Sequence, residues 1–195
     1  MNQTLIVLFF LFIISKVNSQ SLDTYYSELD LIVGNIVGAQ LSMSYVWDNN
    51  YTINFSFTDF NQSSSSIPED FRSGIIGAVT FGLIEPKERH RTYAINARKI
   101  IKLNEKKRTQ LNLLVGIGIT NSEIPTNWKK TSSVGVGTNY TWDTTISNSR
   151  SIMIQPKYEY PFKKFAALSL STLIIINRND NYYGLCLGLQ LGRLR

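Results

Sequence analysis

The chain has 195 residues, 20 of them Lys or Arg and 14 Asp or Glu, with one His and one Cys. This length suits a single domain, the lone Cys excludes an internal disulfide, and the lone His excludes a multi-histidine metal site. The net charge of +6 is dispersed over several connections. It predicts a solvated basic surface, or contact with anionic lipid headgroups, and no nucleic-acid partner. We expect neither a metal nor a cofactor.

The N-terminus carries an unbroken apolar run at 5–14, followed by a short polar segment that ends near Ser19. This pattern is typical of a secretory signal peptide, and the run is shorter than the ~20 apolar residues that a transmembrane helix needs. We predict a signal peptide at 1–19 and one mature domain at 20–195. An anchoring or buried N-terminal helix is the alternative.

Apolar residues occupy every odd position of 37–47 and of 51–57, on either side of a short turn at 48–50. The even positions are mostly Gly, Gln, Ser, Asn and Thr. Such alternation predicts a β-hairpin with one apolar face. If bulk water covered the second face, that face would carry Lys and Glu. Small uncharged residues instead suit the narrow lumen of a barrel whose apolar face is in contact with lipid.

The same alternation recurs along the chain and predicts eight strands. They lie at 28–34, 37–47, 51–60, 91–103, 110–121, 149–160, 165–177 and 181–193. The connections are short turns, except for two long polar segments at 61–90 and 122–148. Short turns on one rim, long loops on the other and an even strand count predict that both termini lie in the periplasm. The Gly-rich segment 73–84 is assigned to an extracellular hairpin or loop extension, which keeps the count even.

The last strand repeats the pattern of the first hairpin, with Leu185 and Leu187 on one face and Gly184 and Gly188 on the other. We therefore predict an all-β fold, an eight-stranded antiparallel up-and-down transmembrane β-barrel with two long extracellular loops. Side chains fill the lumen of a barrel of this size, so a wide diffusion pore is not expected.

Four charged residues occupy positions that alternate with the apolar positions of their own strands. They are Arg98, Lys102, Lys157 and Glu159. We predict that these side chains share the lumen as a polar network. A buried carboxylate without a basic partner is costly, so Glu159 is expected to pair with at least one of the cations.

Aromatic residues gather around two of the short turns. Tyr45, Trp47 and Tyr51 surround the first turn, and Tyr158 and Tyr160 precede the third. Amphipathic rings concentrate at the level of the lipid headgroups in membrane proteins. We predict that these five rings mark one membrane interface.

The hairpin at 45–57 and the closing segment 184–192 carry a resemblance to a known family. The chain resembles the small eight-stranded outer-membrane β-barrel proteins of the OmpA transmembrane domain and OmpX type, over nearly the whole mature sequence. The resemblance implies an integral protein in the outer membrane of a Gram-negative bacterium. Outer-membrane lipid and lipopolysaccharide would then be its surroundings and partners.

A structural or surface-recognition role without enzymatic activity is the favoured function, with an unknown extracellular partner bound through 61–90 and 122–148. Two alternatives stay open. One is a secreted, soluble lipocalin-like barrel that binds an apolar ligand, with its apolar stripe inside. The other is a lipid A-modifying barrel enzyme, in which His90 would activate the hydroxyl of Thr92. A solvated loop side chain is the simpler expectation for His90.

Overall fold

A computed structural model describes residues 24–47, 51–74, 86–103, 109–131, 138–178 and 180–192. The predicted signal peptide at 1–19 and most of 73–84 lie outside the described residues, as do the side chains of Trp47 and Lys102. Within the described ranges, no helix is long and apolar enough to cross a bilayer.

The described residues form eight strands. These are β1 (Thr24–Gly34), β2 (Val37–Trp47), β3 (Tyr51–Ser63), β4 (Lys87–Lys102), β5 (Gln110–Lys130), β6 (Tyr140–Lys163), β7 (Ala166–Asn177) and β8 (Asn181–Gly192). Each strand pairs antiparallel with the next, and β1 pairs with β8, so the strands close into a barrel in chain order. The predicted eight-stranded up-and-down barrel is confirmed. Closure removes the edges that an open sheet would expose.

The two faces of the barrel wall differ sharply in polarity. The outer face is apolar and exposed: Leu31 is 60% exposed and Ile117 is 73% exposed. The inner face is buried and largely polar, as the alternating exposed and buried positions of β3 and β8 illustrate. The register reinforces this division, because Leu29 of β1 lies opposite Leu41 of β2 and Leu189 of β8. The alternative with the apolar stripe inside is therefore wrong for this chain.

The predicted loop at 122–148 is corrected by the structure, because most of it is strand. β5 continues to Lys130 and β6 already begins at Tyr140, so the two strands project as a paired hairpin beyond the ring. The hairpin includes a β-bulge between Thr126 and Lys129. Ser, Asn and Thr suggested a loop, yet Thr, Ile, Trp and Tyr favour strands once a partner strand is in register. The other predicted loop, 61–90, is also shorter, because β3 ends at Ser63 and β4 begins at Lys87.

The lumen is filled in layers along its axis. Tyr26, Val46 and Ile100 form an apolar layer near the end where β1 begins. A charged layer follows at the level of Glu28 and Asp30. A larger apolar cluster then fills the lumen towards the other end, and its members are Ile32, Ile36, Phe60, Ala94, Met153, Leu173, Ile175, Tyr182 and Cys186. The charged layer is thus enclosed between two apolar layers.

Candidate functional site

The charged layer is centred on Arg98, which β4 projects into the lumen. Its Nη1 lies 2.6 Å from Oε1 of Glu159 on β6, and its Nη2 lies 3.8 Å from Oε2 of Glu28 on β1. The guanidinium also donates a hydrogen bond to the hydroxyl of Tyr26, with its Cζ 5.4 Å from the centre of that ring. Arg98 is 1% exposed, so these groups replace the solvation that burial removes from the cation.

Lys157 is the second cation of the layer. Its Nζ lies 2.6 Å from Oε2 of Glu28 and 3.2 Å from Oδ2 of Asp30. Ser169 donates a hydrogen bond of 2.5 Å to Glu28, and the Gln190 amide donates to both Glu28 and Glu159. These contacts join three carboxylates and two cations from β1, β4 and β6, and Ser169 and Gln190 add β7 and β8 to the network. Such a network links strands that lie on different sides of the lumen.

The alternation of apolar and polar positions along the strands predicted only part of this charged layer. The structure brings Arg98, Lys157 and Glu159 together, and the side chain of Lys102 lies outside the described residues. Glu28 and Asp30 were not among the predicted residues. Their signal was present in β1, where they alternate with the outward-facing apolar residues of the same strand. Gln190 and Ser169 could not be singled out, because uncharged polar residues occupy most inward positions.

A second polar cluster lies near the opposite end of the lumen and includes the only histidine. The expectation of a solvated His90 is wrong, because the side chain is fully buried. Its Nδ1 lies 2.8 Å from Ser122 Oγ, and its Nε2 lies 3.7 Å from Oε2 of Glu88. Thr92 instead exchanges a hydrogen bond of 2.7 Å with Thr120. The imidazole of His90 and the hydroxyls of Thr92 and Ser122 are buried in the lumen, so neither of these hydroxyls lies on the outer wall.

The projecting part of the β5–β6 hairpin, residues 124–130 and 140–150, lies beyond the last residues paired with β4 and β7, and we call it the arm. Trp128 and Trp142 face each other with their ring centres 5.3 Å apart. Tyr140 packs edge-on against Trp128, and Phe71 from the β3–β4 connection packs against both tryptophans. This aromatic cluster gives the arm a small apolar core of its own, outside the ring of eight strands.

Asp70 ties the β3–β4 connection to the arm. Its carboxylate accepts hydrogen bonds of 2.6 Å from both Lys130 and the hydroxyl of Tyr140. The backbone carbonyl of Asp70 also accepts a bond of 2.8 Å from the side-chain amide of Asn139. The hydrogen bonds from Lys130 and then Tyr140 hold the pKa of Asp70 below its usual range. The carboxylate is fully exposed, so solvent screens this pairing strongly.

The four predicted interface tyrosines are found on the outer wall or its rim, and the side chain of Trp47 lies outside the described residues. Tyr51, Tyr158 and Tyr160 are exposed and Tyr45 is half-buried, with its ring centre 5.0 Å from that of Tyr25. Exposed tyrosines on a soluble protein would be unusual in such number, whereas a membrane interface favours them. Their position at the headgroup level remains a prediction.

In the part of the chain that the structure describes, no group of three or more His, Cys, Asp and Glu side chains could hold a metal ion. Cys186 is buried in the lumen and unpaired within the same ranges. The described residues thus form a packed lumen and a projecting arm.

No protein-family model matches the chain, and a comparison with curated proteins gave no match. Solved structures do match in fold. The outer membrane protein Ail of Yersinia pestis, solved in a phospholipid bilayer nanodisc, is 15% identical with a TM-score of 0.48, over 87% of this chain and 98% of that one. Neisserial surface protein A is 9% identical with a TM-score of 0.49, over 87% and 94%. The N-terminal β-barrel domain of Pseudomonas aeruginosa OprF is 9% identical with a TM-score of 0.45, over 87% and 96%. At these values the likeness concerns the barrel only.

Proposed function

We propose that this chain is an integral barrel of the Gram-negative outer membrane that recognises a surface partner through its arm. The observation that carries the membrane assignment is the inversion of polarity, because the apolar stripe covers the outside while charged and polar residues are buried in the lumen. In water such a wall would expose far more contiguous apolar area than a soluble monomer tolerates. In lipid the same wall is fully compatible with its surroundings.

A pore function is disfavoured by the packing of the lumen. Arg98 and Lys157 lie in the middle of the barrel and are each 1% exposed. Their ion pairs cross the lumen from strand to strand, and an apolar layer covers the charged layer on each side. The lumen therefore serves to stabilise the wall, and any recognition has to take place outside it.

The arm supplies the surface for recognition. Beyond Ser151, which pairs with Asn177, the described part of the structure gives β6 no partner on the β7 side, so residues 140–150 present an open strand edge. The other strand of the arm is covered near Pro125, whose carbonyl accepts a hydrogen bond from Ser66. An open edge pairs readily with an extended polypeptide. Ile146 is 64% exposed on this edge and gives the partner strand an apolar contact.

Extraction of membranes tests the membrane assignment. Cells that express the full chain are fractionated, and the membranes are treated with alkaline carbonate or with detergent. We expect the protein to remain in the carbonate pellet and to dissolve in detergent, because its outer wall is apolar. A stable folded monomer in buffer without detergent would refute the assignment.

Strand addition tests the arm. The probe is a fluorescent peptide with the sequence of residues 140–150, added to vesicles that contain the folded barrel and followed by anisotropy. Ile146→Lys should weaken binding, since a charge on an edge strand opposes pairing. Ser65→Lys adds the same charge to an exposed loop position on the same rim and should leave binding unchanged. Equal binding by both variants would mean that the open edge is not the recognition surface.

A further inference from the structure

A long apolar trough crosses the outer wall of the barrel. Its floor follows one line of register from β2 to β7, through Ser42, Ser56, Ala94, Gly118 and Ser151. Two parallel rows of outward side chains form its walls, and its volume is about 1200 Å³. Five strand-to-strand spacings of about 4.8 Å make the trough roughly 24 Å long. This length and the apolar walls match an extended lipid acyl chain.

The two ends of the trough differ in charge. At the β2 end the walls are Leu41 and Met43, which are apolar. At the other end Arg150 and Arg178 flank the paired residues Ser151 and Asn177, and both arginines belong to the lining of the trough. Arg150 lies where β6 leaves the ring to enter the arm, so this end sits at the level of the outer headgroups.

The arginines at this rim also differ in their partners. Arg89 and Arg91 are neutralised, Arg89 by Asp59 at 2.5 Å and Arg91 by Glu123 at 3.1 Å. Arg150 and Arg178 are exposed and have no carboxylate within 4 Å among the described residues. Uncompensated positive charge is therefore concentrated at one end of the trough. An anionic group there would complete the charge balance.

We propose that the trough binds one anionic phospholipid of the surrounding bilayer, with an acyl chain between the two rows and a phosphate on Arg150 and Arg178. Guanidinium groups bind phosphate oxygens through paired hydrogen bonds, and the net positive charge of the two arginines favours a headgroup of net negative charge over a zwitterionic one. This inference rests on the proposed membrane function, because only a barrel within a bilayer meets such a lipid with its outer wall.

Native mass spectrometry of the folded full chain tests the charged end. The barrel is released from micelles that contain phosphatidylglycerol or phosphatidylcholine, and the lipid retained by each barrel is counted. We expect one retained phosphatidylglycerol and weaker retention of zwitterionic phosphatidylcholine. Each of Arg150→Gln and Arg178→Gln should lower retention about fivefold, the factor that corresponds to ~1 kcal/mol per basic residue at a membrane surface. Arg91→Gln removes the same charge from a neutralised position and should have no effect.

A second pair of variants tests the apolar part. Ile117 lies in the wall of the trough midway along its length, and Leu185 faces outward on β8, outside it. Ile117→Trp should obstruct the trough and lower phosphatidylglycerol retention, whereas Leu185→Trp should not. Both side chains project from the wall and are exposed, so neither change disturbs the packed lumen.

The outcomes separate the two proposals. A barrel that inserts into vesicles but retains both lipids equally, or that loses phosphatidylglycerol as readily with Arg91→Gln as with Arg150→Gln, overturns the lipid site and leaves the membrane function intact. Insertion is followed in parallel by flotation of the vesicles. A chain that fails to float with vesicles at all would refute the membrane function itself.

Discussion

Arg98 and Glu159 form an ion pair of 2.6 Å that joins β4 to β6 across the lumen. These strands are not hydrogen-bonded neighbours, because β5 lies between them in the ring. The pair therefore connects parts of the wall that the backbone ladder does not link directly. Glu28 approaches the same guanidinium from β1, so Arg98 neutralises carboxylates from two directions.

Arg98→Met should destabilise the folded barrel by about 3 to 5 kcal/mol, because it leaves buried carboxylates without their cation. The measurement is urea unfolding from lipid vesicles, followed by heat-modifiable gel migration. Lys99→Met is the matched control, since Lys99 is the next residue and faces outward. An equal loss in both variants would argue against a specific role for the lumen network.

Leu113 tests the outward face of β5. Leu113→Arg places a charge against the hydrocarbon and should cost about 2 to 4 kcal/mol near the midplane, whereas Leu113→Phe should be tolerated. The side chain is exposed on the outer wall, so the larger ring meets no packed neighbour. Folding into lipid vesicles measures both changes. Loss of folding with the Phe variant would place Leu113 in a packed core instead.

Gly116 tests the inward face of the same strand. A Cβ at this position would lie 2.1 Å from the Asn96 side-chain oxygen and 2.4 Å from the Ile95 carbonyl oxygen. Because the Ile95 oxygen belongs to the backbone, the wall itself has to move, and Gly116→Ala should cost about 1 to 3 kcal/mol. Ala97→Ser, on the outward face of β4, should change the free energy of unfolding by much less. Equal stability of Gly116→Ala and the parent chain would contradict the close approach.

Selective labelling tests the orientation of the barrel. Thr144 on the arm and Lys163 at the other rim are both exposed, while the native Cys186 is buried and gives no background. On intact cells, a maleimide polymer too large for porins should react with a Thr144→Cys variant and not with Lys163→Cys. The reverse pattern would invert the topology. Labelling after cell lysis shows that both cysteines are reactive.

Acid should release the β3–β4 connection from the arm. The pKa of Asp70 is held down by hydrogen bonds from Lys130 and Tyr140. The stabilisation that the charged carboxylate provides is therefore complete above the ordinary carboxyl range of about pH 4, and it is lost as the pH falls below that range. Phe71 should then separate from Trp128 and Trp142, which changes the tryptophan fluorescence. Asp70→Asn removes the titrating group and should abolish this step. A step that persists in Asp70→Asn would belong to another carboxylate.

The polarity of the two faces of the barrel wall can be predicted from the sequence alone. Period-two alternation at Val37–Trp47 and in the closing strand identified strands, and the small or polar second face indicated a barrel turned outward to lipid. The alternation of Arg98, Lys157 and Glu159 with the apolar positions of their strands also indicated that these side chains point inward. These properties are local, because the side-chain period of a strand is fixed by backbone geometry.

Which side chains meet, and where the strands end, depends on contacts that form when the chain folds. The pairing of Lys157 with Glu28 joins residues far apart in the chain and depends on closure of β1 onto β8. The arm became strand because β5 and β6 supply each other with hydrogen-bonding partners, although their Ser, Asn and Thr content resembles a loop. His90 became buried because Phe60 and Tyr182 from other strands pack against its ring. Local sequence patterns carry no information on such partners, since the ring brings them together only when it closes.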